Sequence, residues 1–337
     1  MMAGFLTALR ELVPTASLTC CVPFALAPLQ RRFPEVTWLP YDEESRIRSI
    51  TNCELWLGLG GSPFQNAQSR WFIDHLTADA AWCARQDKPM FFLGVGVQTA
   101  EELAEPAVQR VCAQAAGIWT RDPLSAERLR ALTRNPQVEA ASDLAHLFFR
   151  ARRPPPAQAG RLTLVPNFDY GSWPGQDACL AAVAALPLTE RVWLAQESRV
   201  LPGAERALYA TLPAATKAQW QLVSPDAPDD TLAAILTRWP SGEWLVTARY
   251  HAALAGAWSG SKTVVIATNE KLRAAARDLA CPTLSLNADL RAVTRALEAA
   301  SSASPPAALA AKAEEACTAF VRAAGYSPLL RRRVELS

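Results

Sequence analysis

Two stretches in the second half of the chain carry basic side chains in a pattern suited to holding a small anion. Thr247-Ala-Arg-Tyr-His-Ala-Ala-Leu254 follows the apolar run Trp244-Leu245-Val246, and Asn269-Glu270-Lys271 follows Thr263-Val264-Val265-Ile266. If the two runs are neighbouring parallel strands, Arg249, His251 and Lys271 emerge at one sheet edge, and in open α/β sheets ligands bind at the carboxyl edge. Arginine grips a carboxylate or phosphate bidentately, while lysine adds a point charge. Histidine, with an ordinary pKa of about 6.5, can give or take a proton near neutral pH. Continued strand periodicity would point Arg249 and His251 the same way. A helix starting at His251 would aim its first amides at the same ligand. A histidine that merely caps a helix or sits satisfied in a core is the competing reading.

The first half offers a counterpart. Ile118-Trp119-Thr120 leads into Arg121, Asp122 and Pro123, which places Arg121 at a strand end directly before a helix. Local capping by an Arg121–Asp122 pair is the alternative, and the strand ends of the two halves could share one cleft. Two glycine loops also end strands, Gly58-Leu-Gly-Gly-Ser-Pro63 and Gly94-Val-Gly-Val97. Gly60, Gly61 and Ser62 would allow close backbone approach to a ligand, or simply a tight turn. Neither loop completes Gly-x-Gly-x-x-Gly, so a dinucleotide cofactor has little support. Asp143, three residues before His146, is placed to cap a helix or hold a polar contact, and His75 reads as a surface or partly buried residue of an amphipathic helix. There is no Walker loop, Gly-x-Ser-x-Gly elbow, His-Glu-x-x-His or other metal-ligand spacing.

The elements that must position these residues alternate. Candidate strands are Leu18–Phe24, Val36–Pro40, Leu55–Leu59, Met90–Val95, Gly117–Thr120 and Val138–Ala141, with helices such as Ser69–Arg85, Glu101–Ala115 and Pro123–Leu132 between them. Asp122 and Pro123 form a favourable helix start. After the stiff break Arg150-Ala-Arg-Arg-Pro-Pro-Pro-Ala157 the alternation restarts, with strands at Leu162–Val165, Val192–Ala195, Trp220–Val223, Trp244–Thr247, Val264–Ala267 and Thr283–Leu286. Helices are expected at Gly203–Leu212, Asp230–Thr237, His251–Trp258, Lys271–Leu279, Asp289–Ala300 and Pro306–Ala324. Such alternation makes an α/β fold with parallel sheets. The expected organisation is two Rossmann-like domains facing across a cleft. Residues 1–150 would form the acceptor side and 151–305 the donor side, with a C-terminal helix and basic tail over 306–337.

Half of the 337 residues are hydrophobic and a fifth are charged, with a formal net charge of +2. That balance gives no basic field for nucleic acid. No apolar run reaches the roughly 18 to 20 residues of a membrane span. The tail Leu329-Leu330-Arg331-Arg332-Arg333 could touch an anionic membrane weakly. Arg10 and Glu11 interrupt the apolar start, which argues against a signal peptide. The eight cysteines show no Cys-x-x-Cys pair and read as reduced core residues, hence a cytoplasmic location, at most at the inner face of the membrane.

At these residues the sequence resembles the polysaccharide pyruvyltransferase family. The matching pieces, in order, are Gly60-Gly61-Ser62, Gly94-Val95-Gly96, Arg121-Asp122-Pro123-Leu124-Ser125, Ser142-Asp143, Arg249-Tyr250-His251-Ala252 and Lys271. Asn269 stands where the family often carries an aromatic residue, and the family's N-terminal Gly-Asp segment has no counterpart near Leu18–Gln30. The resemblance implies a glycosyltransferase-B type fold and phosphoenolpyruvate as donor substrate, with no cofactor and no metal. The implied acceptor is a saccharide of an envelope or exported polysaccharide, free or lipid-linked, which receives pyruvate as a ketal while phosphate leaves. Substrate binding would fall to Arg121, Arg249, Lys271, Gly60, Gly61 and Ser62, and proton transfer to His251. A nucleotide-sugar glycosyltransferase on the same fold, or a non-catalytic saccharide-binding protein, are the competing functions.

Overall fold

The computed structural model describes residues 1–65, 70–133, 135, 137–166, 173–196, 204–224 and 231–326. The chain divides into two compact units, Met1–Arg150 with Ala307–Ser337, and Ala151–Pro306.

In the first unit β1 (Leu18–Val22) and β2 (Val36–Pro40) form a parallel pair. The strands β3 (Trp56–Leu59), β4 (Met90–Val95), β5 (Gly117–Thr120) and β6 (Val138–Ala140) form a second parallel sheet in that order. Every residue of β4 is buried, as expected of a central parallel strand covered on both faces. Its side chains alternate between two cores. Phe92 joins Ile73, Leu76 and Leu129 on one face, while Phe91 and Leu93 join Phe5, Trp119 and Phe320 on the other. Phe320 comes from the helix Ala307–Ala323, so the end of the chain covers a sheet built from its beginning, with Phe91 and Phe320 rings 5.4 Å apart.

The second unit is one six-stranded parallel sheet. Its strands are β7 (Gln158–Val165), β8 (Glu190–Leu194), β9 (Gln221–Val223), β10 (Gly242–Thr247), β11 (Lys262–Ile266) and β12 (Thr283–Leu284). Their spatial order is β12-β11-β10-β7-β8-β9. Numbered within the unit this is 3-2-1-4-5-6, the dinucleotide-fold order, whose topological switch lies between β7 and β10. β10 also pairs in parallel with β11, Thr247 opposite Val265, so the exits of these two strands are adjacent. The helix after β10, Tyr250–Ser259, is buried from Ala252 to Ser259. Its small residues permit this. A Cβ on Gly256 would lie 2.3 Å from Leu245 Cδ2 and 2.8 Å from Thr263 Oγ1.

Several element bounds differ from the sequence pattern, and two differences concern whole helices. The long helix expected over Glu101–Ala115 is a 3-10 turn, Glu101–Leu103, followed by a helix starting at Pro106, because proline takes a first-turn position rather than an interior one. The helix Gln176–Ala184 was not signalled, since its run of alanines offers little apolar–polar periodicity. The tail Leu329–Arg333 lies outside the described residues. Among the described residues no helix is long and apolar enough to cross a membrane. All eight cysteines are free thiols.

His146, 1% exposed in the helix Ala145–Ala151, gives the first unit a pH-dependent element. Burial pushes its pKa down to about 4, partly opposed by the charge of Asp143. The unfolded imidazole takes up a proton near its ordinary pKa of about 6.5, whereas the folded ring stays neutral almost to pH 4. Its contribution is therefore complete above pH 6.5 and is lost as the pH falls towards 4, by about 3 kcal/mol at most. Urea titrations of the parent and His146→Gln should show this: between pH 6.5 and 4.5 the variant loses stability less steeply, whatever its offset at pH 7. Parallel slopes would contradict the assignment.

Candidate active site

The exit of β10 is tied to its neighbour across the switch point. Thr247 Oγ1 donates to Val165 O at 3.2 Å, Ala248 N donates to the same carbonyl at 3.0 Å, and Arg249 N donates to Thr247 Oγ1 at 2.9 Å. Arg249 is the N-cap residue of the helix, in extended geometry, and its side chain does not cap the helix. The helix thus begins at Tyr250, one residue earlier than its apolar pattern suggests. Strand alternation ends at Thr247, so helical geometry, not the pleat, sets the direction of His251 relative to Arg249.

The Arg249 guanidinium lies on a carboxylate that has no solvent contact. Nε donates to Glu205 Oε1 at 2.7 Å and Nη2 lies 2.6 Å from the same oxygen, with side-chain exposures of 19% for Arg249 and 0% for Glu205. Glu205 belongs to the helix Ala204–Thr211, which follows β8. Lys271 is in the first turn of the helix Glu270–Asp278, whose N-terminus is capped by Asn269 through Leu272 N at 3.0 Å. That capping role gives Asn269 a reason to replace an aromatic side chain. Lys271 Nζ sits 4.6 Å from the centre of the Tyr250 ring, within cation–π range. The Tyr250 ring meets His251 edge-on at 5.3 Å. His251 and Lys271 therefore meet the Tyr250 ring at the adjacent exits of β10 and β11, while Arg249, the residue before Tyr250, turns its guanidinium onto Glu205. Cations beside a helix N-terminus make a place for an anion, and the imidazole stands next to it.

Arg121 is enclosed in the first unit. Its Nη1 donates to Gly61 O at 3.0 Å, Nη2 donates to Ser62 Oγ at 3.3 Å, and the residue is 3% exposed. Gly96 leaves room for the guanidinium, since a Cβ there would lie 2.2 Å from Arg121 Cζ. Gly60 and Gly61 take φ of +63° and +72°, and a Cβ at Gly61 would meet nothing within 4 Å. Helix capping is done by Asp122 alone, which accepts from Ser125 N at 2.8 Å and Ser125 Oγ at 2.9 Å, while the Arg121 Nε stays 3.6 Å from it. Arg121, Gly60, Gly61 and Ser62 form one cluster at the exits of β3, β4 and β5. In it the arginine is enclosed as a clamp on the glycine loop. Asp143 caps its own helix through Ala145 N at 2.8 Å.

A family model for polysaccharide pyruvyl transferases matches residues 1–270. The chain belongs to the polysaccharide pyruvyl transferase family. No curated protein sequence matches it. Solved structures do match by shape. The UDP-GlcNAc 2-epimerase from Methanocaldococcus jannaschii aligns over 97% of both chains with a TM-score of 0.63 at 8% identity. A putative UDP-N-acetylglucosamine 2-epimerase from Listeria monocytogenes aligns over 97% of this chain and 94% of its own, TM-score 0.61, at 11% identity. The Neisseria meningitidis UDP-GlcNAc 2-epimerase bound to UDP-GlcNAc aligns over 97% and 96%, TM-score 0.60, at 10% identity. At such identity the likeness is one of fold. The chain has two Rossmann-like domains of the glycosyltransferase-B type.

Sequence reasoning missed Glu205 and Tyr250. Tyr250 lay inside the Arg-x-His motif and could have been noticed as an aromatic between an arginine and a histidine. Glu205 carries no local signal, being one acid among 32 acidic residues and 44 positions away from Arg249. Its burial allows a direct test. Removing one partner of a buried pair costs about 3 to 5 kcal/mol, because the other charge is left uncompensated. Urea unfolding of Glu205→Ala should show a loss of that order, and Glu205→Gln, which keeps an acceptor for Arg249, roughly half of it. A Glu205→Ala midpoint equal to the parent's would show that the pair holds nothing in place.

Proposed function

We propose that the chain transfers pyruvate from phosphoenolpyruvate to a saccharide, forming a ketal across two hydroxyls and releasing phosphate. The observation that carries this reading is the meeting of His251 and Lys271 at the Tyr250 ring, directly after the Glu205-held Arg249, in a chain of the pyruvyl transferase family. Phosphoenolpyruvate presents a carboxylate and a phosphate of about −1.5 to −2 charge, the groups that an arginine and a lysine recognise. Arg249, oriented by Glu205, and Lys271 bind the donor and stabilise the departing phosphate. The first unit serves the acceptor, with Gly60, Gly61 and Ser62 held in place by Arg121.

The methylene carbon takes one proton to become the methyl group, and the resulting electrophilic carbon accepts two sugar oxygens in turn. Each oxygen loses its proton, one replacing that given to carbon and the other leaving with phosphate. His251 is the group assigned to proton transfer, because imidazole serves as either acid or base near neutral pH. The runner-up is a nucleotide-sugar donor, favoured by a fold neighbour that holds UDP-GlcNAc.

Calorimetry separates the two. Phosphoenolpyruvate should bind without added divalent metal, and UDP-GlcNAc should not. Charge-assisted contacts are worth about 1.5 to 3 kcal/mol, so Arg249→Ala and Lys271→Ala should each weaken donor binding roughly ten- to a hundredfold. His251→Gln should bind the donor nearly as the parent does yet lose about 10² to 10⁴-fold in turnover. Donor binding only with magnesium, or UDP-GlcNAc binding in place of phosphoenolpyruvate, would overturn the donor assignment. Near-normal turnover in the glutamine variant would remove the acid–base role.

A further inference from the structure

A set of aromatic rings at a strand exit of the first unit takes no part in either cluster above. Tyr41 directly follows β2, and Trp71, Phe72 and His75 open the helix Trp71–Arg85, which starts on the exit side of β3. Trp71 and His75 stand four residues apart on one helix face, and Asp79 continues the stripe. The rings pack as a unit, with Trp71 to His75 centroids 4.4 Å apart, Tyr41 to Trp71 5.0 Å and Tyr41 to His75 5.2 Å.

A buried ion pair stiffens them from behind. Arg46 Nε donates to Asp79 Oδ1 at 3.0 Å and Nη2 to the same oxygen at 2.5 Å, with Arg46 9% and Asp79 6% exposed. Arg46 Nη2 also donates to His75 O at 3.0 Å, and its Cζ lies 5.0 Å from the Tyr41 ring centre. In front, Trp71 remains 40% exposed and Phe72 44%. His75 Nδ1 lies 2.6 Å from Trp71 O. A carbonyl can only accept, so Nδ1 carries a hydrogen and Nε2 is the ring's remaining hydrogen-bonding atom. Arg70 and Asp74, with side chains 61% and 59% exposed, add polar groups alongside.

Exposed aromatic surface held rigid by a buried charge pair is a built feature, unlike a stray apolar residue. An exposed indole, flanked by rings tilted 41° to 57° to one another and by hydrogen-bonding groups, matches one ligand chemistry well. A pyranose offers a C–H face to stack on indole and hydroxyls to bond at its rim, as small-molecule sites combine apolar walls with a few placed polar groups. We infer that Tyr41, Trp71 and His75 form a platform for a pyranose ring of the acceptor. The inference rests on the proposal that the first unit receives the saccharide, and it names the subsite.

Saturation-transfer NMR on the full chain with methyl pyranosides of glucose, galactose and N-acetylglucosamine tests it, together with phosphate release from phosphoenolpyruvate at limiting glycoside. The parent should transfer saturation to the protons of one sugar face. Trp71→Ala should cut that transfer and raise the glycoside KM at least tenfold, with phosphoenolpyruvate affinity within twofold of the parent, and Trp71→Phe should recover most of it. His75→Ala should raise the same KM. Unchanged transfer and KM in Trp71→Ala, or no transfer from the parent to any pyranoside, would overturn the platform. So would a Trp71→Ala loss confined to binding of phosphatidylglycerol vesicles, which would mark a lipid-facing patch. Trp71-dependent sugar binding without any phosphate release would keep the platform and remove the pyruvyl-transfer reading.

Discussion

The Glu205 carboxylate, sealed from solvent beneath the Arg249 guanidinium, is the constraint on which the rest of the second unit depends. Withdrawing an anion from water costs several kcal/mol unless a well-placed partner answers it. The helix carrying Glu205 and the exit of β10 carrying Arg249 must therefore meet in one register. Once they do, the start of the helix Tyr250–Ser259 is fixed, and with it His251 and the ring of Tyr250 on which Lys271 rests. An arginine already gripped on one side loses little rotamer freedom when it meets an anion on another, so pre-organisation adds to charge in the binding of a small substrate.

The fold supplies the place for this arrangement but not its chemistry. Parallel strands ordered 3-2-1-4-5-6 put the exit of β10 at the switch point, where such sheets bind ligands whatever the reaction. UDP-GlcNAc 2-epimerases share the fold at about a tenth identity, so the shape alone does not choose the reaction. What a reaction can use is the set of local groups at the strand exits. In the second unit these are Arg249 paired with Glu205, Lys271, an imidazole and a helix N-terminus. In the first unit they are a glycine loop clamped by Arg121.

Much of the architecture was legible from periodicity. Runs such as Met90–Val95 and Val264–Ala267 read as covered parallel strands, because they alternate with helical segments along the chain. Asp122 and Pro123 announced a helix start that the structure keeps, because capping is a local bond between residues three apart. What stayed hidden was non-local. Nothing near Glu205 marks it as the partner of Arg249, and nothing near Arg121 shows that its fork would be spent on the carbonyl of Gly61. The backbone between Arg249 and His251 was hidden for a related reason. Strand and helix meet between them, and the backbone changes period within two residues. Trp71 and His75 stand at helical spacing, but the packing of Tyr41 against both rings, and of Arg46 against Asp79 beside them, depends on what the fold brings together.

The central claim is that this chain joins the three carbons of phosphoenolpyruvate to a sugar through proton transfer at the methylene carbon. Turnover in D₂O with a panel of methyl pyranosides, followed by mass and NMR analysis of the product, tests this most directly. The account predicts a pyranoside ketal carrying a single deuterium in its methyl group, with one phosphate released per ketal. Phosphate release accompanied by free pyruvate and no ketal with any pyranoside, or turnover of UDP-GlcNAc in place of phosphoenolpyruvate, would contradict it.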